Sequence, residues 1–214
     1  MLPVLAFSAC ALLSFEPKAL ASASDAGAKT ILFFGDSITA GYGLEDPAQA
    51  YPGLISDRIE REHLPYRVVN AGLSGETTAG GLRRIDWILR QPISIFVLEL
   101  GANDGLRGLP PAQAQSNLQT IIDKVRAKDP TVKIVIEGMM MPTNLGAEYT
   151  RDFAAIYPAL AEKNHLILVP FLLDRVGGIA SLNQADAIHP NAQGHAILAE
   201  TVWKYLEPLL RERP

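Results

Sequence analysis

The chain has 214 residues, 48% of them hydrophobic and 20% charged, the balance of one ordinary globular domain rather than a disordered or fibrous chain. Lys and Arg number 19 against 23 Asp and Glu, and the net charge of −4 gives no broad electrostatic reason to gather nucleic acid. The single cysteine, Cys10, excludes an internal disulfide and any thiolate-clustered zinc or iron–sulfur centre.

The first element is an apolar run over residues 1–15, followed by small residues at Ala19-Leu20-Ala21 and Ala21-Ser22-Ala23 that suit a signal peptidase. The run is shorter than the roughly 20 residues of a bilayer span. No Lys or Arg precedes it, so the usual basic n-region is missing. Residues 1–23 are read as a signal peptide, and the protein as exported, periplasmic or secreted, without a stable transmembrane anchor. Cys10 would leave with that segment.

From Lys29 onward, short apolar β-branched runs alternate with amphipathic stretches. The runs cover Thr30–Phe34, Arg67–Asn70, Ile93–Leu100, Val132–Ile136 and Leu166–Val169. Their nearly continuous apolar character predicts parallel strands covered on both faces. Helices are predicted over Tyr51–Glu62, Thr77–Arg90, Ala112–Lys128, Tyr149–Lys163 (bent or interrupted by Pro158) and Ala192–Leu210, the last with Asn191 available as a cap. Strand, loop and helix in repetition predict a three-layer α/β/α sandwich with right-handed crossovers, a single domain over 29–210.

In such a sheet, ligands collect outside the carboxyl ends of the strands. The unusual polar residues fall there: Gly35-Asp36-Ser37, Gly72 to Glu76, Gly101 to Asp104, and a late loop with Asp186 and His189. Dinucleotide and nucleoside-triphosphate signatures fail, since Gly41-Tyr42-Gly43-Leu44-Glu45-Asp46 lacks the third glycine and no P-loop occurs. The α/β-hydrolase elbow fails too, because Gly72-Leu73-Ser74-Gly75 ends in Glu76. Ser37 is the better nucleophile: a hydroxyl needs a base to take its proton, and the base needs a carboxylate to fix its tautomer. Asp186 and His189, three residues apart, suit those tasks. Equally, Ser37 suits a helix cap and Asp186 with His189 a surface pair; residue chemistry alone leaves both readings open.

The blocks Gly35-Asp36-Ser37-Ile38-Thr39, Gly75, Gly101-Ala102-Asn103-Asp104 and Asp186-Ala187-Ile188-His189-Pro190 resemble the four blocks of the SGNH, or GDSL, hydrolase superfamily. The nearer likeness is to its bacterial thioesterase I, lysophospholipase L1 and arylesterase group, and it runs in order from about Thr30 to the last helix. The resemblance implies a flavodoxin-like, five-stranded parallel sheet and serine acyl hydrolysis with no metal and no cofactor. It makes Ser37 the nucleophile, His189 the general base and acid, and Asp186 the orienting carboxylate. It places the oxyanion hole at the Ser37 amide, the Gly75 amide and the Asn103 side chain. By the same resemblance Met141 and Pro142 border the substrate groove, with Leu106, Leu109 and Leu145 as further walls. Ala102 departs from the glycine common in relatives, which touches pocket shape rather than reaction class.

The expected substrate is a small-molecule or lipid-like acyl ester or thioester, taken by a monomer. The alternatives are a carbohydrate O-deacetylase of the same superfamily and a non-catalytic α/β ligand-binding protein. His195, His63 and His165 are expected to be structural. Glu99 is expected to brace the Gly101–Asn103 loop, while Asp104 and Arg107 tie it down or line the entrance.

Overall fold

Each of the five apolar runs becomes a strand in the computed structural model, which describes residues 27–212. The signal-peptide reading and Cys10 lie outside the described residues. The strands are β1 (Lys29–Gly35), β2 (Tyr66–Asn70), β3 (Ile95–Glu99), β4 (Lys133–Glu137) and β5 (Ile167–Val169). They form one parallel sheet in the order β2-β1-β3-β4-β5, the flavodoxin-like arrangement that the resemblance implied. In central β1, Ile31 to Phe34 are fully buried, so both faces are covered and apolar alternation vanishes. Edge strand β2 is half-buried and carries Arg67.

The helices are α1 (Ser37–Ala40), α2 (Tyr51–Arg61), α3 (Thr78–Ile88), α4 (Ala102–Leu106), α5 (Pro111–Lys128), α6 (Ala147–Ala154), α7 (Ile156–Asn164) and α8 (Ala192–Leu210). One layer packs α2 against α8; the other packs α3 against α5 and α5 against α7. The Asn191 side chain caps α8 by accepting the Gly194 amide at 3.0 Å. The single helix expected over Tyr149–Lys163 is two, parted at Ala155. Pro158 explains the break: its ring opposes the carbonyl four residues back, at Ala154, but fits the first turn of α7, where no amide partner is needed. β3 begins two residues later than the apolar run, although the Ser94 amide still bonds Thr30 O at 2.9 Å.

The chain leaves β1 toward β2 on one side, then returns past it to β3 on the other. The loops after β1 and β3 therefore diverge, and the crevice between them is the switch point of the fold.

Candidate active site

The turn after β1 carries Ser37. The Asp36 carboxylate accepts the Ile38 amide at 3.0 Å, starting α1, and Gly41 closes it with φ 76°. Gly35 is required by close approach: a Cβ there would fall on the Thr39 side chain and the Glu99 carboxylate. Ser37 is buried but keeps 8% of its surface exposed.

His189 Nε2 lies 2.9 Å from Ser37 Oγ, and His189 Nδ1 lies 2.7 Å from Asp186 Oδ2. Asp186 Oδ1 accepts the amides of Ile188 at 2.9 Å and His189 at 3.0 Å, across Ala187 in the left-handed region at φ 58°. The His189 amide, the His189 ring and the Ile188 amide hold the Asp186 carboxyl down at about 2. An ionised Asp186 can only accept, so the imidazole proton resides on Nδ1 and Nε2 is free to accept from Ser37. The loop is stapled by Gln184, whose amide donates to Tyr42 O at 2.7 Å and Pro190 O at 3.0 Å. The Tyr42 ring packs on the His189 ring, centroids 4.8 Å apart.

Donors for an oxyanion come from three loops. Among the described residues, neither the Ser37 nor the Gly75 amide has a protein acceptor. Gly75 sits at φ +78°, a conformation that disfavours any side chain, and Arg107 Nη2 holds its carbonyl at 3.1 Å. Asn103 Nδ2 donates to Asp36 Oδ2 at 3.0 Å, leaving its second amide hydrogen unbonded within the described residues. Asp104 anchors the same short helix by accepting the Thr78 amide at 2.8 Å and hydroxyl at 2.6 Å. Asp104 and Arg107 thus tie the loop down, as expected.

An apolar cavity of about 340 Å³ is walled by Ile38, Ala102 and Ile188, the chain neighbours of Ser37, Asn103 and His189, with Leu106, Met141 and Pro142 among others. Three of the wall residues named from the sequence, Leu106, Met141 and Pro142, line it; Leu109 and Leu145 do not. Leu145 faces a separate hollow with Pro111 and Tyr149, and the Leu109 carbonyl is taken by the Tyr149 hydroxyl at 2.8 Å. Met139, beside Met141, and Phe171 and Leu173 add further wall beyond the ends of β4 and β5; nothing in the sequence singled out Phe171 or Leu173.

Beneath the crevice lies a buried polar cluster. Glu99 braces the nucleophile turn rather than its own loop: its Oε2 accepts the Asp36 amide at 3.0 Å and the Thr39 hydroxyl at 2.8 Å. Thr39 Oγ1 lies 3.0 Å from Tyr51 Oη, which is 2.8 Å from Glu137 Oε2. Burial pushes the Glu137 carboxyl up to about 8 and, with the Asp36 charge, holds Glu99 well above the usual carboxylate range. Asp36 is raised by burial as well, against the pull of the Ile38 amide. His195 is structural: its Nδ1 accepts the Tyr51 amide at 3.2 Å, and burial lowers it to about 4. Among the described residues, no group of three or more His, Cys, Asp or Glu is placed to hold a metal ion.

The profile of the GDSL-like lipase/acylhydrolase family matches residues 33–197. The chain is 44% identical over 186 residues to the esterase TesA of Pseudomonas aeruginosa, covering 86% of this chain and 91% of that protein. It is 38% identical over 186 residues to thioesterase 1/protease 1/lysophospholipase L1 of Escherichia coli, covering 86% of each. The crystal structure of TesA superposes with a TM-score of 0.80 at 43% identity, covering 85% of this chain and 99% of that one.

Proposed function

The chain belongs to the GDSL-like lipase/acylhydrolase family and is a carboxylic-ester hydrolase, and we propose that it works through an acyl-enzyme formed on Ser37. The observation that carries this reading is the hydrogen-bonded line Ser37–His189–Asp186, whose chain neighbours Ile38, Ala187 and Ile188 wall an apolar cavity. Ser37 Oγ attacks the acyl carbonyl while His189 Nε2 takes the hydroxyl proton. Asp186 stabilises the imidazolium without taking its proton. The carbonyl oxygen, now an oxyanion, accepts from the Ser37 amide, the Gly75 amide and Asn103 Nδ2, and such donors act without rearranging as charge develops. His189 then protonates the leaving group as the carbon–leaving-group bond breaks. In the second half it deprotonates a water that attacks the acyl-enzyme, releasing the acid and restoring Ser37.

The cavity walls support an aryl or longer acyl ester, a thioester or a lysophospholipid over an acetylated sugar. Asn183 is the one polar side chain among the cavity-lining residues, too sparse a platform for a polyol. A matched panel of aryl esters, acyl-CoA thioesters, lysophospholipids and acetylated sugars tests this, with Ser37→Ala as the blank. Turnover of the first three classes that vanishes in Ser37→Ala is expected. Turnover of acetylated sugars alone overturns the substrate reading. Absence of both turnover and fluorophosphonate labelling at Ser37 returns the protein to a binding role.

Export and a monomeric state belong to the same proposal. The apolar segment before Ala21 supports export, and the completeness of the site within one chain supports a monomer. No helix among the described residues is long and apolar enough to cross a membrane. N-terminal sequencing of the protein recovered outside the cytoplasm should begin at Ser22 or Ser24. Light scattering should give the mass of one chain.

A further inference from the structure

Glu99 and Glu137 stand side by side at the ends of neighbouring strands, one register step beyond the Leu98–Ile136 pair. Both are buried, with 1% of their surface exposed. Among the described residues no Lys or Arg pairs with either, and Glu99 Oε1 and Glu137 Oε1 have no hydrogen-bond partner. Two adjacent anions without a counter-charge are costly in such a site, and the ordinary resolution is for a proton to stay.

The hydrogen-bond chain says where that proton sits. Three oxygen–oxygen contacts link Glu137 to Tyr51 (2.8 Å), Tyr51 to Thr39 (3.0 Å) and Thr39 to Glu99 (2.8 Å). The two hydroxyls bring two protons. With both glutamates ionised, Tyr51 donates to Glu137 and Thr39 donates to Glu99, so the middle contact brings lone pairs together with nothing between them. A third proton completes the chain, and only a carboxyl can supply it. Glu99 Oε2 already accepts the Asp36 amide and the Thr39 hydroxyl. Glu137 Oε2 has only Tyr51. With the proton there, donation runs in one direction: Glu137 to Tyr51, Tyr51 to Thr39, Thr39 to Glu99.

We propose that Glu137 is a positioning residue held as a neutral carboxylic acid, the head of an ordered hydrogen-bond chain that fixes the Asp36–Thr39 turn and thereby Ser37. The proposal rests on the reading of Ser37 as nucleophile. Glu99 receives the far end of the chain and grips the turn at both the Asp36 amide and the Thr39 hydroxyl. When Glu137 ionises, Tyr51 must reverse to donate to it, the Tyr51–Thr39 link is lost, and the second charge repels Glu99. The groups facing this pair are Glu99 on β3, Asp36 in the turn, Tyr51 on α2, Tyr157 on α7 and His195 on α8, stacked against Tyr51. Val169 of β5, the register partner of Glu137, brings no charge. Burial and the Asp36 charge raise Glu99 as well, so the two carboxyls share one proton, and the two donors already on Glu99 Oε2 place it on Glu137 Oε2. Tyr51 and Tyr157 are held neutral far into the alkaline range by burial, and His195 is neutral above about 4, so the Glu99–Glu137 pair is what changes charge in mildly alkaline solution.

The experiment compares pH profiles of kcat on a saturating aryl ester, corrected with the Ser37→Ala blank. In the wild type, kcat should fall about tenfold per pH unit, as a single ionisation requires, once the pH passes the value of about 8 that burial gives Glu137; KM should stay level. In Glu137→Gln, whose amide donates to Tyr51 at every pH, the fall should be absent. Infrared difference spectra of the full protein between neutral and alkaline pH should contain a carboxylic-acid C=O band that Glu137→Gln removes. Should Glu137→Gln fail to fold, Tyr51→Phe tests the same link, because losing its acceptor moves that band to higher frequency. An unchanged alkaline fall in folded Glu137→Gln overturns the proposal. So does a wild-type spectrum without the band, or a band that Tyr51→Phe leaves in place. The infrared result does not depend on turnover, so failure of the chain and failure of the Ser37 reading are told apart.

Discussion

Asn103 Nδ2 donates to Asp36 Oδ2 at 3.0 Å, so the residue next to the nucleophile orients a donor carried by the loop after the neighbouring strand. One hydrogen of the Asn103 amide is fixed by Asp36, and the rigid plane of the amide aims the other. Asn103→Ala is therefore expected to lower kcat by about 10²–10³ while KM changes little, the usual cost of one oxyanion donor. Asp36→Ala, which leaves Asn103 present but unaimed and removes the cap on α1, should fall in the same direction by a smaller factor. Steady-state kinetics on one aryl ester decides it. A rise in KM at constant kcat in Asn103→Ala would assign that side chain to ground-state binding instead.

The cavity makes a separate expectation about chain length. Ile188 is 47% exposed yet lines the cavity, one residue before His189 and directly after strained Ala187. Ile188→Trp fills volume without touching the triad. Activity on short acyl esters should persist, while esters with longer acyl chains lose about 1–3 kcal/mol of transition-state binding, the scale on which apolar pockets discriminate. The ratio of kcat/KM for long and short aryl esters measures it. Equal loss on both would place the acyl chain elsewhere.

How much of this was legible in the sequence differs by residue. Residue chemistry left Ser37, Asp186 and His189 as one of two open readings, because a serine in a turn and an Asp–His pair three residues apart also suit caps and surface pairs. The resemblance of four sequence blocks pointed to the triad, and the fold brings the three side chains into one hydrogen-bonded line. The five strands were legible because burial on both faces leaves continuous apolar runs. Leu109 and Leu145 were named as walls and are not, since an apolar residue near a crevice gives no sign of which hollow it enters. Glu137 hid at the end of the run KIVIE, and its partner Tyr51 lies 86 residues earlier, a distance no local pattern bridges. Gln184 and Tyr42, which staple the His189 loop 142 residues apart, hid for the same reason.

Stability should respond to pH from both sides. An unfolded chain protonates His195 near 6.5, whereas the buried ring resists until about 4, so its contribution is complete above 6.5 and drains as pH falls toward 4. Glu137 acts oppositely. The unfolded carboxyl ionises near 4.5 while the folded one keeps its proton to about 8, so its contribution is complete below 4.5 and is lost as pH rises through 8. Urea unfolding across this range should show the alkaline slope reduced in Glu137→Gln. The acid slope should be reduced in His195→Gln, whose side-chain oxygen still accepts the Tyr51 amide. Slopes identical to the wild type in either variant would remove that residue from the titration.

Arg84 joins the two loops on which the oxyanion donors depend. Its guanidinium pairs with Glu76, whose side chain is only 3% exposed, and donates to Gly35 O at 3.3 Å. The same group lies 4.0 Å over the Phe34 ring. One planar cation thus ties the residue after Gly75 to the residue before Asp36, from α3 between them. Arg84→Ala strands the Glu76 carboxylate in the interior, and breaking a buried pair from one side costs about 3–5 kcal/mol. Arg84→Lys should recover little, because an ammonium cannot serve Glu76, a carbonyl and an aromatic face at once. Glu76→Gln with Arg84→Leu should recover more, since it removes both charges together. Urea unfolding of the single and double variants gives the coupling, and kcat measured well below each unfolding midpoint gives the effect on the site. A loss below about 1 kcal/mol in Arg84→Ala would make this an ordinary surface pair; a larger loss with kcat lowered in the folded fraction makes it the strut that holds the Gly75 and Ser37 amides in register.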